Sequence, residues 1–130
     1  MIKIPLVIEK ANNDFIGRIL YDQNLIISES RDLVSLEADL KKQLKKFHKI
    51  KPEAIQFEHR YDLTSLFDKF SFLKVSSIAE AADMNASLLR QYVIGHKFAS
   101  PNQAKKIEQT IRQIGKELLR VQVYSKHDQQ

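Results

Sequence analysis

Apolar residues crowd the first thirty positions in short runs. Residues 2–9 and 15–21 are rich in Ile, Leu and Val and flank Ala11-Asn12-Asn13-Asp14, whose polar side chains tolerate the positive φ of a tight turn. The pattern predicts a β-hairpin. A third run, Leu25-Ile26-Ile27-Ser28, predicts a further strand behind the weaker turn signal Gln23-Asn24. From Asp32 the period changes: Leu33, Leu36, Leu40, Leu44 and Phe47 stand three and four apart, one apolar stripe along a helix reaching about His48, with Ser30 or Asp32 able to cap it. Pro52 ends that helix by excluding the helical conformation at Lys51, and residues 54–59 alternate as a half-buried strand. Residues 1–60 therefore predict β-β-β-α-β.

Past Tyr61 the strand signal stops. Helical segments are expected over Leu63–Phe70, Val75–Ala82, Ala86–Ile94 and from Pro101 to about Arg120, the last announced by Ser100, a cap for free amides, and by Pro at the first helical position. Val121-Gln122-Val123-Tyr124 alternates and predicts one more short strand before a polar tail, 125–130. The chain thus reads as α+β: a first domain over 1–60 and an all-helical domain over 61–124.

Within the helical half, residues 75–95 have the spacing of a helix-turn-helix. Ile78, Ala79 and Ala82 line the first helix, Ala79 being small where a second helix crosses closely, and Met84 plugs the turn. Leu89, Tyr92 and Val93 form the inner face of the second helix. That leaves Asn85, Ala86, Ser87, Arg90 and Gln91 outward at its N-terminal half, where a recognition helix meets base edges. Arg can clasp guanine O6 and N7, Asn or Gln can clasp adenine N6 and N7, and Ser serves several bases. Gly95 suits the positive φ of a helix end, while Lys97, Ser100 and Lys105 are placed to hold phosphates. Asp83 stands where such turns usually carry Gly.

The 130 residues carry a net charge of +5, which alone says little. Its distribution says more: over residues 84–126, Arg90, Lys97, Lys105, Lys106, Arg112, Lys116, Arg120 and Lys126 face only Glu108 and Glu117. With no Cys there is no disulfide, thiol nucleophile or Cys-based zinc site, which suits a cytoplasmic protein. No signal sequence and no apolar run of spanning length point to export or a membrane. The four His are scattered without a second ligand at metal spacing, and no Gly-rich loop is present, so neither metal nor other cofactor is expected. A hidden nuclease would need convergent carboxylates, for which Asp14, Asp22 and Glu58 are the loose candidates; the reading is a protein without catalysis of its own. Lys41, Lys42, Lys45, Lys46, Lys49 and Lys51 read as the solvated back of an amphipathic helix, with RNA contact as the alternative.

Taken along nearly its whole length, the chain resembles the HicB-like antitoxin family in the form that carries a C-terminal Xre-type helix-turn-helix domain. The resemblance rests on the hairpin start, the helix entry Ser30-Arg31-Asp32-Leu33-Val34-Ser35-Leu36, the strand Gln56-Phe57-Glu58-His59-Arg60-Tyr61, the run Leu88-Leu89-Arg90-Gln91-Tyr92-Val93-Ile94-Gly95 with Ser100-Pro101, and Ile114-Gly115-Lys116-Glu117-Leu118 near the end. It implies a HicB domain of partial ribonuclease-H-like shape without nuclease carboxylates, a small messenger-RNA-degrading HicA toxin as partner, and repression of a shared promoter. Gln23-Asn24-Leu25 replaces the family's Pro-Gly element. A stand-alone regulator without a toxin, or a module whose helical domain binds protein instead of DNA, are the alternatives. One recognition motif covers few base pairs, so a DNA-binding role calls for a homodimer or higher even oligomer on double-stranded DNA, paired through the N-terminal sheet edge or through Val121–Tyr124.

Overall fold

The computed structural model describes residues 1–127 and is α+β, a four-stranded mixed sheet followed by helices. Strands β1 (Ile2–Ala11), β2 (Asp14–Tyr21) and β3 (Asn24–Ser30) form an antiparallel meander. Helix α1 (Leu33–His48) and a single 3-10 turn at Pro52–Ala54 then carry the chain across to β4 (Ile55–Tyr61), which lies parallel to β1. The order is β3-β2-β1-β4. The first turn uses Asn12 at φ 56°, as its short polar side chain allows. The second places both Asp22 and Gln23 at positive φ, 49° and 65°, the geometry that matches the twist of a two-residue hairpin. Tyr21 pairs with Asn24 across it, so the weak turn signal closes a tight hairpin all the same.

Helix α1 starts at Asp32, whose carboxylate accepts the Ser35 N–H at 2.7 Å. Its stripe Leu33, Leu36, Leu40 and Leu44 is buried against Ile4, Leu6, Ile8, Phe15, Ile19, Ile26, Ile55 and Phe57, the alternate residues of one sheet face. The fit is closest at Gly17, where an added Cβ would lie 2.8 Å from Leu36 Cδ2. Phe47, expected on the stripe, is instead exposed. Lys49 adopts the left-handed conformation at φ 56° and turns the chain so that Ile50, two residues past the helix, enters the core instead. Of the lysines of α1, Lys42, Lys45 and Lys46 are exposed, Lys46 over the exposed Phe47 ring, whereas Lys41 is half-buried with its ammonium over the ring of the core residue Phe57.

The chain divides into two compact units, Met1–Ser71 and a second from Phe72 onward. The expected boundary at 60/61 is therefore displaced by a helix. Helix α2 (Leu63–Lys69) belongs to the first unit because Ser65, fully buried, donates its hydroxyl to the Ile8 carbonyl at 2.9 Å, Phe67 is buried, and Lys10 pairs with Asp68 at 3.1 Å. The second unit contains α3 (Val75–Ala81), α4 (Ala86–Val93) and α5 (Pro101–Leu118). The strand expected at Val121–Tyr124 does not form. A strand needs a ladder partner, and these residues are solvent-exposed with none among the described residues. Of the tail expected at 125–130, residues 128–130 lie outside the described residues.

Candidate nucleic-acid interface

Helices α3 and α4 are held face to face by Ile78, Ala79, Ala82 and Leu89, all buried. Ala79 is fully enclosed, as a close helix crossing requires. The connection between them is tied at each residue. Ala82 N–H donates to Ile78 O, Asp83 N–H to Glu80 O and Met84 N–H to Ala79 O at 2.9 Å, while the Met84 side chain is half-buried. Asp83 takes the left-handed conformation at φ 54°. The Asp83 carbonyl accepts from Lys106 Nζ at 3.1 Å, so a lysine of α5 fastens the turn that α4 leaves. Spacing along the chain offered no sign of that role, because it links residues 23 apart.

The side chains expected to read bases are distributed unequally. Asn85 is the cap of α4: its Oδ1 accepts the Leu88 N–H at 3.1 Å. One lone pair of that oxygen is used by the cap, and the other lone pair and the side-chain NH2 are not. Ala86 and Gln91 are half-buried, whereas Ser87 and Arg90 are exposed. Among the described residues Arg90 forms no ion pair, leaving its five N–H donors for an outside partner. Tyr92 and Val93 are half-buried on the opposite side, and Gln91 O accepts from both His96 and Lys97 N–H as the helix ends, followed by Gly95 at φ 84°.

Three cationic or capping groups follow. Lys97 and Lys105 are exposed. Ser100 caps α5 by accepting the Gln103 N–H at 3.2 Å, which leaves its hydroxyl proton able to donate. The first turn of α5 carries no acidic residue, so the positive end of its dipole is uncompensated. Lys97 and Lys105 offer exposed ammonium groups and Ser100 a hydroxyl donor, while Ser87 and Arg90 offer exposed polar groups on α4.

The carboxylates considered for hydrolysis do not converge. Asp14 and Asp22 stand at opposite ends of β2, roughly 25 Å apart along an extended strand. Asp14 is instead a neighbour of Glu29, and the hydrogen bond between these two side chains pushes the Glu29 carboxyl above its ordinary range. No group of three or more potential metal ligands occurs among the described residues.

No protein-family model, curated protein or solved structure matches the chain. What stands is the class: a small α+β protein in two units, in which no described helix is long and apolar enough to cross a membrane.

Proposed function

We propose that the protein is a sequence-specific DNA-binding repressor of the HicB-like antitoxin kind, without catalytic activity, acting in the cytoplasm as an even-numbered oligomer. The observation that carries this reading is the outer face of α4. Among the described residues the side chains of Ser87 and Arg90 make no hydrogen bond or ion pair, yet they are presented by a helix whose inner face, entry turn and exit are all fastened. In this reading α3 and α4 are a helix-turn-helix, α4 enters the major groove, Arg90 clasps a guanine, Ser87 and Gln91 adjust the neighbouring positions, and Lys97, Ser100 and Lys105 hold the phosphates.

The resemblance extends the proposal to a HicA-type toxin neutralised by the first unit. Its sheet offers a suitable surface, since α1 covers one face and the other exposes Leu20, Leu25 and Ile27. A basic reading frame beside the gene, whose product co-purifies with this chain, would mark the antitoxin rather than the stand-alone regulator.

The test is a salt series of binding to the DNA upstream of the gene and to scrambled DNA of equal length. Wild type should prefer the upstream sequence, and Arg90→Ala should lose about 1–3 kcal/mol of that preference while keeping its salt slope. Equal, weak binding to both DNAs that vanishes with salt would leave a basic surface and defeat the repressor reading.

A further inference from the structure

The first unit keeps its positive charge in one place. Between Asp39 and Glu53 the chain carries six lysines and no acidic residue, whereas elsewhere in that unit eleven Asp and Glu outnumber six Lys and Arg. Lys41 is occupied over the Phe57 ring. Lys42, Lys45, Lys46, Lys49 and Lys51 are exposed, and among the described residues none of the five forms an ion pair. A helix dipole favours lysines only within the last turn, and Lys42 and Lys51 lie outside it. The final carbonyls do not call for them either, because Lys49 N–H donates to Lys45 O and Ile50 N–H to Leu44 O. Phe47 stands among these lysines with its ring 66% exposed and the Lys46 ammonium 5.3 Å from its centre. Beside it, His48 meets the Tyr21 ring edge-on at 5.1 Å, which ties this end of α1 to β2 and gives Phe47 a fixed backbone.

We propose that this end of α1 binds single-stranded nucleic acid, a base stacking on the Phe47 ring while Lys42, Lys45, Lys46 and Lys49 follow the phosphates. The charge sets the class of ligand: five unpaired ammonium groups suit a polyanion whose counterions they displace. Lys42, Lys46 and Lys49 succeed one another at about one turn, roughly 5.4 Å of rise, and their flexible stems can adjust to consecutive phosphates. The ring then selects among polyanions. A duplex keeps its bases stacked on one another inside the helix, whereas a single strand offers open base faces, and stacking on an aromatic side chain within a basic surface is how such strands are held without sequence preference. An anionic membrane would also attract the lysines, but an interfacial helix inserts a whole apolar face, and α1 has committed Leu33, Leu36, Leu40 and Leu44 to its own sheet. The site lies on the first unit, uses none of the groups assigned to duplex DNA, and goes beyond the repressor reading without resting on it.

Fluorescence anisotropy of a labelled oligouridylate of about twelve nucleotides, titrated with the full chain over a salt series, tests the proposal. Wild type should bind with a Kd of about 10 µM or tighter at about 50 mM salt. Phe47→Ala removes an exposed ring, so it should melt like wild type by circular dichroism, yet it should raise the Kd about fivefold or more with the salt slope unchanged. The triple variant Lys42→Gln, Lys45→Gln, Lys46→Gln keeps good helix formers and should reduce the log-log salt slope by about 2. Failure of wild type to bind, undiminished binding by Phe47→Ala, or a slope that the triple variant leaves unchanged overturns the proposal. So does equally tight binding to a duplex of the same length, or binding to phosphatidylserine vesicles in place of the RNA, which would assign the surface to a membrane.

Discussion

Glu29 and Asp14 sit on the open face of the sheet with their carboxyl groups hydrogen-bonded, and the shared proton raises the Glu29 pKa above its ordinary value near 4.5. A carboxyl raised on folding binds its proton more tightly in the folded state, so its contribution is complete in acid and is lost as the pH rises through the raised value. Glu29→Gln makes the neutral partner permanent. Thermal melts should show a higher Tm at neutral pH and a flatter dependence above pH 4.5; a lower Tm would show that the ionised pair is favourable. Asp32 has the opposite sign, its carboxyl lowered chiefly by the Ser35 N–H it accepts, so its help is present at neutral pH and fades in acid. Capping by Asp32 and Ser100 was legible, since Ser and Asp before a helical period have few other uses. That Asn85 caps α4 was not, because the same side-chain type suits a cap and a base contact.

Elements were legible where period and punctuation agree, as in α1, α3, α4, α5 and the first hairpin. They failed where the outcome depends on a partner outside the segment. Phe47 continues the stripe of α1 by its spacing but is exposed, and the left-handed Lys49 redirects the chain to bury Ile50. Val121–Tyr124 has a strand's alternation without a strand beside it. Contact between elements is also where substitution is most damaging. Gly17 lets β2 and α1 approach until Leu36 Cδ2 would be 2.8 Å and Leu6 Cδ1 3.1 Å from an added Cβ. Gly17→Val should therefore cost about 1–3 kcal/mol by overpacking. Urea denaturation would measure it, and a change below about 0.5 kcal/mol would mean that α1 lifts away without penalty.

At the level of the whole chain, the division falls after α2 because the first unit needs it. The Ser65 hydroxyl and the Asp62 N–H both donate to the Ile8 carbonyl, and Phe67 is buried. A fragment of residues 1–71 should unfold cooperatively, whereas one of residues 1–60 leaves the Ile8 carbonyl without the Ser65 hydroxyl and should lose about 3–5 kcal/mol, most of it the buried Phe67. Equal stability of the two fragments by denaturant titration would return the boundary to Tyr61. The sequence by itself determined the strands and helices up to α5, the α+β class, the stripe from Leu33 to Leu44 that α1 buries and the polar front of α4, since each follows from spacing within a few residues. Only the tertiary structure decided which unit owns α2, that β4 runs parallel to β1, and that Lys106 fastens the turn at Asp83. Those outcomes depend on residues distant along the chain competing for the same surface, and local spacing carries no record of such competition.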